Sequence, residues 1–366
     1  MKLKTMLQAV KPTATRTLKV HNKSVSVMVP LLALVLLMTA CSSSSKSATP
    51  TATKGKPHYN ITIGYFTGGM QAIRATLMEE AGIFKKYGIS VTDVAVSSGP
   101  ALVAGVIGGS IDVGVGYPAL DFPPMIEKRG VEMLSPYTEP GFYGIAGQTN
   151  LGLKNAGVGI TKNALSNIRL MAGKTVGVSA IGGETEIYVE QLATQAGISP
   201  TSPDYIGVGS TATNIAAFQA HRTDFTTLNP GEATVLESEH IPYVMAVNGN
   251  PPGHPYKGEL EAFWSIGSSY ASSHPGAAKA FCKANQDSYK FAANPKNRAA
   301  VEHAIEVGAN FNSTQAAYLY DHYNYILADP VVVNQKVWNA QKIWLQDTPY
   351  SNDALPYSGN VYAPCF

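Results

Sequence analysis

The sequence predicts an α/β protein of two similar lobes, each with a mixed, mostly parallel sheet covered by helices. Two strand–helix–strand–helix–strand patterns follow one another, and that order is typical of parallel sheets. Both patterns carry Ala-Gly-Ile where the first helix ends, at residues 81–83 and 196–198. An aspartate opens each third strand, 30 residues after the glycine in the first pattern (Asp112) and 27 residues after it in the second (Asp224).

The first pattern alternates short apolar strands with amphipathic helices. Its predicted elements are a strand at 61–65, a helix at 70–86, a strand at 89–96, a helix at 100–107 and a strand at 111–115. The apolar residues expected on one face of the first helix are Met70, Ile73, Leu77, Ala81 and Phe84. Lys86 and Gly88 are typical of a helix end, since cations favour the last turn and glycine the position after it.

The second pattern repeats this order. Its predicted elements are a strand at 175–178, a helix at 189–196, a strand at 205–208, a helix at 213–220 and a strand at 224–228. Residues 263–266 are expected to return as a strand to the first lobe, and a helical pattern follows. We interpret Trp338 and Trp344 there as core residues, because large aromatic side chains are mostly buried.

These patterns set the expected domain boundaries. The chain is predicted to cross between the lobes near residues 148–154 and again near 248–260. The expected divisions are a signal peptide at 1–40, a tether at 41–57, the first part of lobe 1 at 58–150, lobe 2 at 151–255, and the completion of lobe 1 with the C-terminal helices at 256–366.

The N-terminus has the charge order of a secretory signal. Six cations and no acids precede the 16-residue apolar run at 25–40, which is short for a bilayer span of about 20 residues. Residues 38–41, Met-Thr-Ala-Cys, resemble a bacterial lipobox, so Cys41 is the predicted lipidation site. The Ser/Thr/Pro-rich segment 42–57 lacks the apolar residues that would offset the entropy of ordering, which predicts a flexible tether. An ordinary transmembrane anchor or a buried helix is the alternative, and Met6 or a later position is an alternative start.

The net charge argues against nucleic-acid binding. The chain carries 27 Lys+Arg and 25 Asp+Glu, and removal of the six leader cations leaves 21 against 25. A weakly acidic surface has no basic footprint for phosphates. We therefore expect no nucleic-acid partner. The leader and Cys41 predict an exported, membrane-anchored lipoprotein on the periplasmic or cell-surface side, and we expect it to be a monomer.

Two cysteines remain besides the one that takes the lipid. Cys282 and Cys365 would lie in a compartment that permits disulfides, and we expect them to be bridged. Such a bridge would fix the C-terminus to the helix that carries Cys282. Two independent thiols are the alternative, because spacing alone does not establish a pairing.

Four segments then carry a family resemblance. Residues 80–89 (EAGIFKKYGI), 108–114 (GGSIDVG) and 172–178 (AGKTVGV), together with Asn229-Pro230 after Asp224, resemble the solute-binding proteins of ABC importers for nitrate, sulfonates, taurine and thiamine precursors, the SsuA/THI5-like family. The resemblance covers roughly residues 59–290. It implies a type II periplasmic-binding-protein fold with a ligand cleft between two lobes, and a permease with its ATPase as partners.

The loops after the strands supply the expected ligand-binding residues. In open α/β sheets, ligands bind beyond the carboxyl ends of the strands, where helix N-termini expose unpaired N–H groups. The predicted ligand-binding residues are Phe66, Thr67, Gly68, Gly69, Gln71, Ser98, Gly99, Pro100, Tyr117, Pro118, Gly182, Gly183, Glu184, Thr185, Thr211, Thr213, Asn229, Pro230 and Glu232. Many are Gly, Ser or Thr, which allow close backbone approach and short hydrogen bonds. Helix capping and turn formation are the alternative roles.

The charge of the ligand stays open at this stage. The loops that hold these residues are 66–71, 97–100, 116–119, 181–185, 209–213 and 229–232. These six loops contain no Lys or Arg, whereas Glu184, Glu232 and Asp121 lie in or beside them. If Glu184 and Glu186 only complement their own helix dipole, a sulfonate, nitrate or taurine remains possible. Otherwise a neutral or amine-bearing solute, such as a pyrimidine-type precursor, is favoured over a simple anion.

Enzyme function is the less favoured reading. The eight histidines are scattered, and the sequence has no HExxH, CxxC or GxSxG motif. No metal, cofactor or catalytic residue is therefore expected. Alternatives are a pyrimidine-synthase-like or menaquinone-pathway-like enzyme on the same fold, which the export signal disfavours, and a surface lipoprotein that senses a ligand.

Overall fold

The computed structural model describes residues 58–66, 69–138, 144–249, 260, 262–329, 332–346 and 348–365. All of them belong to the unit Gly55–Phe366. The expected signal peptide, the tether and Cys41 lie outside the described residues. Within the described ranges, no helix is both long enough and apolar enough to cross a bilayer.

The described strands form two mixed five-stranded sheets. The strands are β1 (Tyr59–Tyr65), β2 (Ile89–Ala95), β3 (Val113–Gly116), β4 (Val131–Thr138), β5 (Gly144–Gly147), β6 (Thr175–Val178), β7 (Asp204–Gly207), β8 (Phe225–Leu228), β9 (Val244–Asn248) and β10 (Ala262–Gly267). The first sheet has the order β2-β1-β3-β10-β4, and the second has the order β7-β6-β8-β5-β9. The predicted two-lobed α/β fold is confirmed.

The two sheets share one topology. In the first sheet, β1 lies parallel to β2 and β3, and β10 lies antiparallel to β3 and β4. In the second sheet, β6 lies parallel to β7 and β8, and β5 lies antiparallel to β8 and β9. Each sheet therefore has four strands in one direction and one reversed strand.

The reversed strands show where the chain passes between the sheets. β10 belongs to the first sheet, as the sequence predicts for residues 263–266. β5 already belongs to the second sheet, so the chain changes sheets between Thr138 and Gly144. The expected crossover near residues 148–154 therefore lies one strand too far along the chain, since β5 comes before it and already belongs to the second sheet. The second change falls between Asn248 and Ala262, within the expected region.

The repeated sequence features have the same structural role in both sheets. Gly82 and Gly197 have φ angles of 68° and 77°, in the left-handed region where glycine is favoured. Asp112 accepts a hydrogen bond from the backbone N–H of Thr62 at 2.8 Å. Asp224 accepts the equivalent bond from Thr175 at 3.0 Å. Each aspartate thus ties the start of the third strand to the first strand.

Helices follow the strands in the expected places. They are α1 (Met70–Glu80), α2 (Ile83–Lys86), α3 (Gly99–Gly108), α4 (Pro118–Ile126), α5 (Lys162–Arg169), α6 (Glu184–Gln195), α7 (Thr211–Gln219), α8 (Pro230–Ser238), α9 (Ser268–Ser273), α10 (Pro275–Ala293), α11 (Arg298–Ala309), α12 (Ser313–Tyr323), α13 (Tyr325–Ala328) and α14 (Gln335–Ala340). The single helix predicted to reach Lys86 is wrong, because the left-handed Gly82 separates α1 from α2.

The C-terminal segment contributes to the cores of both lobes. Trp338 on α14 belongs to the apolar core around the first sheet. Trp344, in a short 3₁₀ helix at Gln341–Leu345, belongs to the core around the second sheet. Both side chains are almost completely buried, as expected. Cys282 on α10 and Cys365 form a disulfide with a Cα–Cα distance of 5.7 Å.

Candidate functional site

One cavity of about 560 Å³ lies where loops from both sheets meet. Its wall is formed by loops that follow β1, β2 and β3 of the first sheet and β6, β7 and β8 of the second. These are parallel strands in each sheet, so their carboxyl ends and the following helix N-termini converge on the same space. The volume lies within the usual range for small-molecule sites.

The structure brings twelve of the predicted binding residues into this wall. They are Phe66, Gly69, Gln71, Gly99, Tyr117, Gly183, Glu184, Thr185, Thr211, Thr213, Asn229 and Glu232. They come from all six loops named from the sequence. Their role in ligand binding stays a prediction, because lining the same cavity does not show that these residues contact a ligand.

Five predicted residues lie outside the wall for local reasons. Ser98 caps α3 by accepting the N–H of Ala101, and Pro100 is exposed. Pro118 and Pro230 are buried first residues of α4 and α8, and Gly182 forms an exposed left-handed turn. These positions shape the loops and do not face the cavity. Thr67 and Gly68 lie outside the described residues.

Residues that the sequence reasoning missed lie next to those that it found. They are Val96, Leu120, Ser179, Ala180, Gly207 and Val208. Ser97, Gly209 and Ser210 also line the cavity, and they lie within loops that the sequence had indicated. Most of the missed residues directly follow a strand, so extending each loop by one or two residues toward its strand would have included them. Leu120 carried no such signal, since it faces the cavity from the first turn of α4.

The first lobe contributes an aromatic part of the wall. The rings of Phe66 and Tyr117 lie with centroids 6.3 Å apart and an interplanar angle of 39°. The side-chain amide of Gln71 donates a hydrogen bond to the hydroxyl of Tyr117. This bond and the burial of the ring hold Tyr117 in place, so the lobe presents an aromatic surface with a polar edge.

The second lobe contributes hydroxyl groups and acids. Glu232 completes a capping box, in which its carboxylate accepts the N–H of Asn229 at 3.0 Å while the Asn229 side chain accepts N–H groups of α8. The same carboxylate accepts the hydroxyl of Thr211 at 2.9 Å. Burial raises the pKa of Glu232, and these hydrogen bonds oppose that shift. The carboxylate is thus largely engaged by its own lobe.

Glu184 occupies the first position of α6 and is 4 % exposed. The neighbouring acid Glu186 accepts the backbone N–H of Gly182, just before the helix. Thr185 accepts the N–H of Ser179, which fixes the loop between β6 and α6. Glu186 therefore already complements the positive end of the helix dipole, and Glu184 is not needed for that purpose alone.

Four helix N-termini at the wall lack a side-chain cap. The cap residues of α1, α4, α6 and α7 are Gly69, Tyr117, Gly183 and Ser210, and among the described residues none of these helices has a side-chain cap hydrogen bond. All four residues line the cavity. Such ends favour negative groups by about 0.3–1 kcal/mol each, so they can offer N–H donors to a bound molecule.

Asp121 lies behind the wall. Its side chain is fully buried and accepts the backbone N–H of Tyr117 at 2.9 Å. Burial raises the pKa of Asp121 from 3.8 to about 7, because a charged carboxylate loses its hydration there. Asp121 thus positions the start of α4 and does not itself face the cavity.

Metal ligation has no support in the part of the chain that the structure describes. Within it, no group of three His, Cys, Asp or Glu side chains is placed to hold a metal ion. The wall offers hydroxyls, backbone N–H groups, two carboxylates and aromatic faces. That chemistry suits reversible binding of a small organic molecule.

Solved structures of solute-binding proteins share this fold. The alkanesulfonate-binding protein SsuA from Xanthomonas axonopodis pv. citri aligns with a TM-score of 0.60 and 15% identity, over 79% of this chain and 91% of that chain. The nitrate-binding protein NrtA from Synechocystis PCC 6803 aligns with a TM-score of 0.60 and 15% identity, over 79% and 80%. SsuA from Escherichia coli aligns with a TM-score of 0.54 and 18% identity, over 78% and 90%.

These neighbours establish the fold as that of periplasmic binding proteins, the group to which the sequence resemblance pointed. Comparison with protein-family models gives no match, and comparison with curated protein sequences gives none either.

Proposed function

We propose that this protein is an extracytoplasmic solute-binding protein of an ABC importer. It captures a small organic solute in the cavity between its two sheets and delivers the solute to a permease. The observation that carries the proposal is the composition of the cavity wall, which draws on six strand-to-helix loops from both sheets. Structural neighbours that bind sulfonates and nitrate support it.

Binding between two lobes supplies a physical signal for transport. A solute that completes hydrogen bonds on both sides stabilises the closed form by its greater affinity for that form. A permease can then distinguish loaded from empty protein. In this proposal the protein is exported and tethered by a lipid at Cys41, as its leader sequence supports, and it acts as a monomer.

A binding protein fits the wall better than an enzyme does. Of its two acids, Glu232 is held by Asn229 and Thr211, which leaves it poorly placed for proton transfer. The named structural neighbours are ligand-binding proteins. Selective, reversible binding is therefore the activity to look for.

A thermal-shift screen of the full chain tests this function. Sulfonates, nitrate, taurine, pyrimidines, amines and aromatic acids are the probes, and a true ligand raises the melting temperature through linkage. Ser210→Trp should abolish the shift, because the new ring would fill the cavity beside Thr211 and Thr213. Ala216→Trp, at an exposed position on the same helix, should retain it.

Two results would contradict the proposal. One is the absence of any shift with a folded wild-type chain across the whole panel. The other is a shift that Ser210→Trp leaves unchanged, since the binding would then lie elsewhere.

A further inference from the structure

The helices α11 and α12, which the structure describes in full, lie outside the cavity wall and attach to the first lobe. The fit between α11 and α1 is close, since a Cβ atom on Gly308 of α11 would lie 2.7 Å from the Cα atom of Ile73 on α1. Apolar residues of α1, α11 and α12 form one buried cluster. Because such a cluster is tightly packed, α12 is fixed to the lobe that carries α1.

α12 also contacts α8, which belongs to the second lobe. The hydroxyl of Tyr318 donates a hydrogen bond to the carboxylate of Glu237 on α8 at 2.9 Å. Tyr323 donates to the same carboxylate oxygen at 3.1 Å, and its ring packs against apolar clusters of both lobes. The side-chain amide of Gln315 donates to Glu239, just after α8, at 2.7 Å. The two tyrosines and Glu237, here called the latch, therefore join the lobes.

α8 connects the latch to the cavity. Its first turn places Glu232 in the wall, and Glu237 follows five residues later, about 8 Å further along the helix. At the start of α8, a Cβ atom on Gly231 would lie 3.2 Å from the Cγ atom of Met70, the first residue of α1. Because the lobes touch at the start of α8 and are joined again further along it, a rotation that separates them breaks the latch.

We propose that the latch is a conformational device that stabilises the lobe arrangement of this structure, in which loops of both lobes line one cavity. A solute bound between the lobes stabilises the same arrangement, so the latch and the solute act in the same direction. For the proposed function, the latch reduces the part of the binding free energy that is needed to bring the lobes together. The latch itself does not depend on that function.

The double variant Tyr318→Phe/Tyr323→Phe tests the latch in the full chain. It removes both hydroxyls and keeps both rings, so the apolar packing of α12 is retained. Small-angle X-ray scattering without solute measures the radius of gyration. We expect a larger radius than in the wild-type chain. The population of separated lobes should rise about tenfold, because a hydrogen bond to a charged group has that effect on an equilibrium.

Double electron–electron resonance measures the distance between the lobes directly. Nitroxide labels are placed at the exposed positions Lys279→Cys on α10 and Ala216→Cys on α7, one in each lobe. Cys41→Ser prevents labelling elsewhere, since the other two cysteines are bonded to each other. The double variant should give a broader distance distribution than the chain with an intact latch.

Tyr243→Phe is the matched control. The hydroxyl of Tyr243 donates to the other oxygen of the same Glu237 carboxylate at 3.2 Å, but Tyr243 lies in the second lobe, directly before β9. The control therefore removes one hydroxyl from Glu237 and leaves the contact between the lobes in place. Its radius of gyration and its distance distribution should equal those of the wild-type chain.

Two results would overturn the latch. One is a folded double variant with the wild-type radius of gyration and distance distribution, and the other is an equal change in Tyr243→Phe. If the double variant does not fold, Tyr318→Phe alone decides, by a smaller change in the same direction or by none. Neither measurement uses a solute, so a failed latch leaves the proposed function standing, and a negative thermal-shift screen leaves the latch standing.

Discussion

The two lobes have the same backbone framework and present different chemistry to the cavity. Both sheets have the same strand order and direction, and in both an aspartate ties the third strand to the first. The first lobe faces the cavity with the rings of Phe66 and Tyr117. The second faces it with Glu184, Glu232 and hydroxyl groups. A repeated framework can thus carry two unlike half-sites, because the framework depends on strand contacts and the site on loop side chains.

The lobes also differ in how the C-terminal segment stabilises them. α10 packs on the first sheet and carries Cys282, whose disulfide to Cys365 closes a separation of 83 residues. The second lobe receives Trp344 from the same segment. The disulfide therefore stabilises the first lobe, whereas the second lobe receives only non-covalent contacts from Trp344.

The largest expected effect comes from removing the disulfide. The double variant Cys282→Ala/Cys365→Ala should lose about 4 kcal/mol of unfolding free energy. The disulfide closes a loop of 83 residues and so restricts the unfolded chain, and without it the unfolded state has more conformational entropy. Urea unfolding without reductant measures the loss. With reductant, the variant and the wild-type chain should unfold alike. A variant as stable as the oxidised wild-type chain would contradict the assignment.

The next effect tests the framework repeat directly. Asp112→Ala and Asp224→Ala should each lose about 1–3 kcal/mol, because each leaves the N–H of Thr62 or Thr175 without its carboxylate acceptor. The two losses should be similar, and they should add in the double variant, since the sites are in different sheets. Thermal or urea unfolding measures both. A loss of stability in only one of the two variants would show that the two aspartates do not contribute equally to the stability of their sheets.

Asp121 gives the first lobe a pH dependence at the start of α4. Its counterpart in the second lobe is Glu232, which accepts the N–H of Asn229 at the start of α8 and whose pKa burial also raises. The folded pKa of Asp121, about 7, is raised above its unfolded value of 3.8. The bound proton therefore stabilises the fold fully below about pH 4, and this contribution is lost as the pH rises through about 7. Asp121→Asn should melt with less change between pH 5 and pH 8 than the wild-type chain.

The exposed acid Asp353 serves as the control for that measurement. Asp353→Asn should keep the wild-type pH profile of the melting temperature. A wild-type profile in Asp121→Asn as well would mean that Asp121 is ionised throughout this range.

The smallest effect concerns the two Ala-Gly-Ile turns. Asp287 on α10 accepts hydrogen bonds from Lys86 and Tyr87 next to the first turn, and these bonds lower the pKa of Asp287 to about 2. Its contribution is present above about pH 4 and is lost as the pH falls through about 2. Because Lys86 is largely exposed, Asp287→Asn should lose less than about 1 kcal/mol at pH 7.

Urea unfolding at pH 7 and pH 3 measures this loss. At the second turn, Arg169 donates to the carbonyl of Ala196 at 2.9 Å. Arg169→Gln should show a similarly small loss with no change between the two pH values. A loss well above 1 kcal/mol for Asp287→Asn would show that the bridge matters more than its exposure implies.

Much of the framework could be predicted because it depends on repeated local signals. Apolar strands, Ala-Gly-Ile turns and the aspartates at Asp112 and Asp224 occur in both halves. The strands β4, β5 and β9 were not predicted. β4 contains Pro136, and proline argues against a central strand because it cannot donate a backbone hydrogen bond. β4 lies at the edge of its sheet, where proline is tolerated. β5 is four residues long with two glycines, and glycine is a weak strand former.

The site could be predicted less completely than the framework. The loops were found because they follow the strands, and Gly, Ser and Thr marked them. Which side chains face the cavity depends on the direction of each first helical turn. Leu120 was therefore missed, and Ser98 caps α3 and does not line the cavity. The sequence allows either Glu184 or Glu186 to complement the dipole of α6, and the hydrogen bond from the N–H of Gly182 shows that Glu186 lies at that end of the helix.

Small-angle X-ray scattering of the full chain, with and without the tightest-binding solute from the thermal-shift screen, tests most directly whether the two lobes close on a guest. We predict that the radius of gyration falls when the solute is added to the wild-type chain and stays constant in Ser210→Trp. Stoichiometric binding with no change in the wild-type radius of gyration, and with the same affinity in Ser210→Trp, would contradict the account.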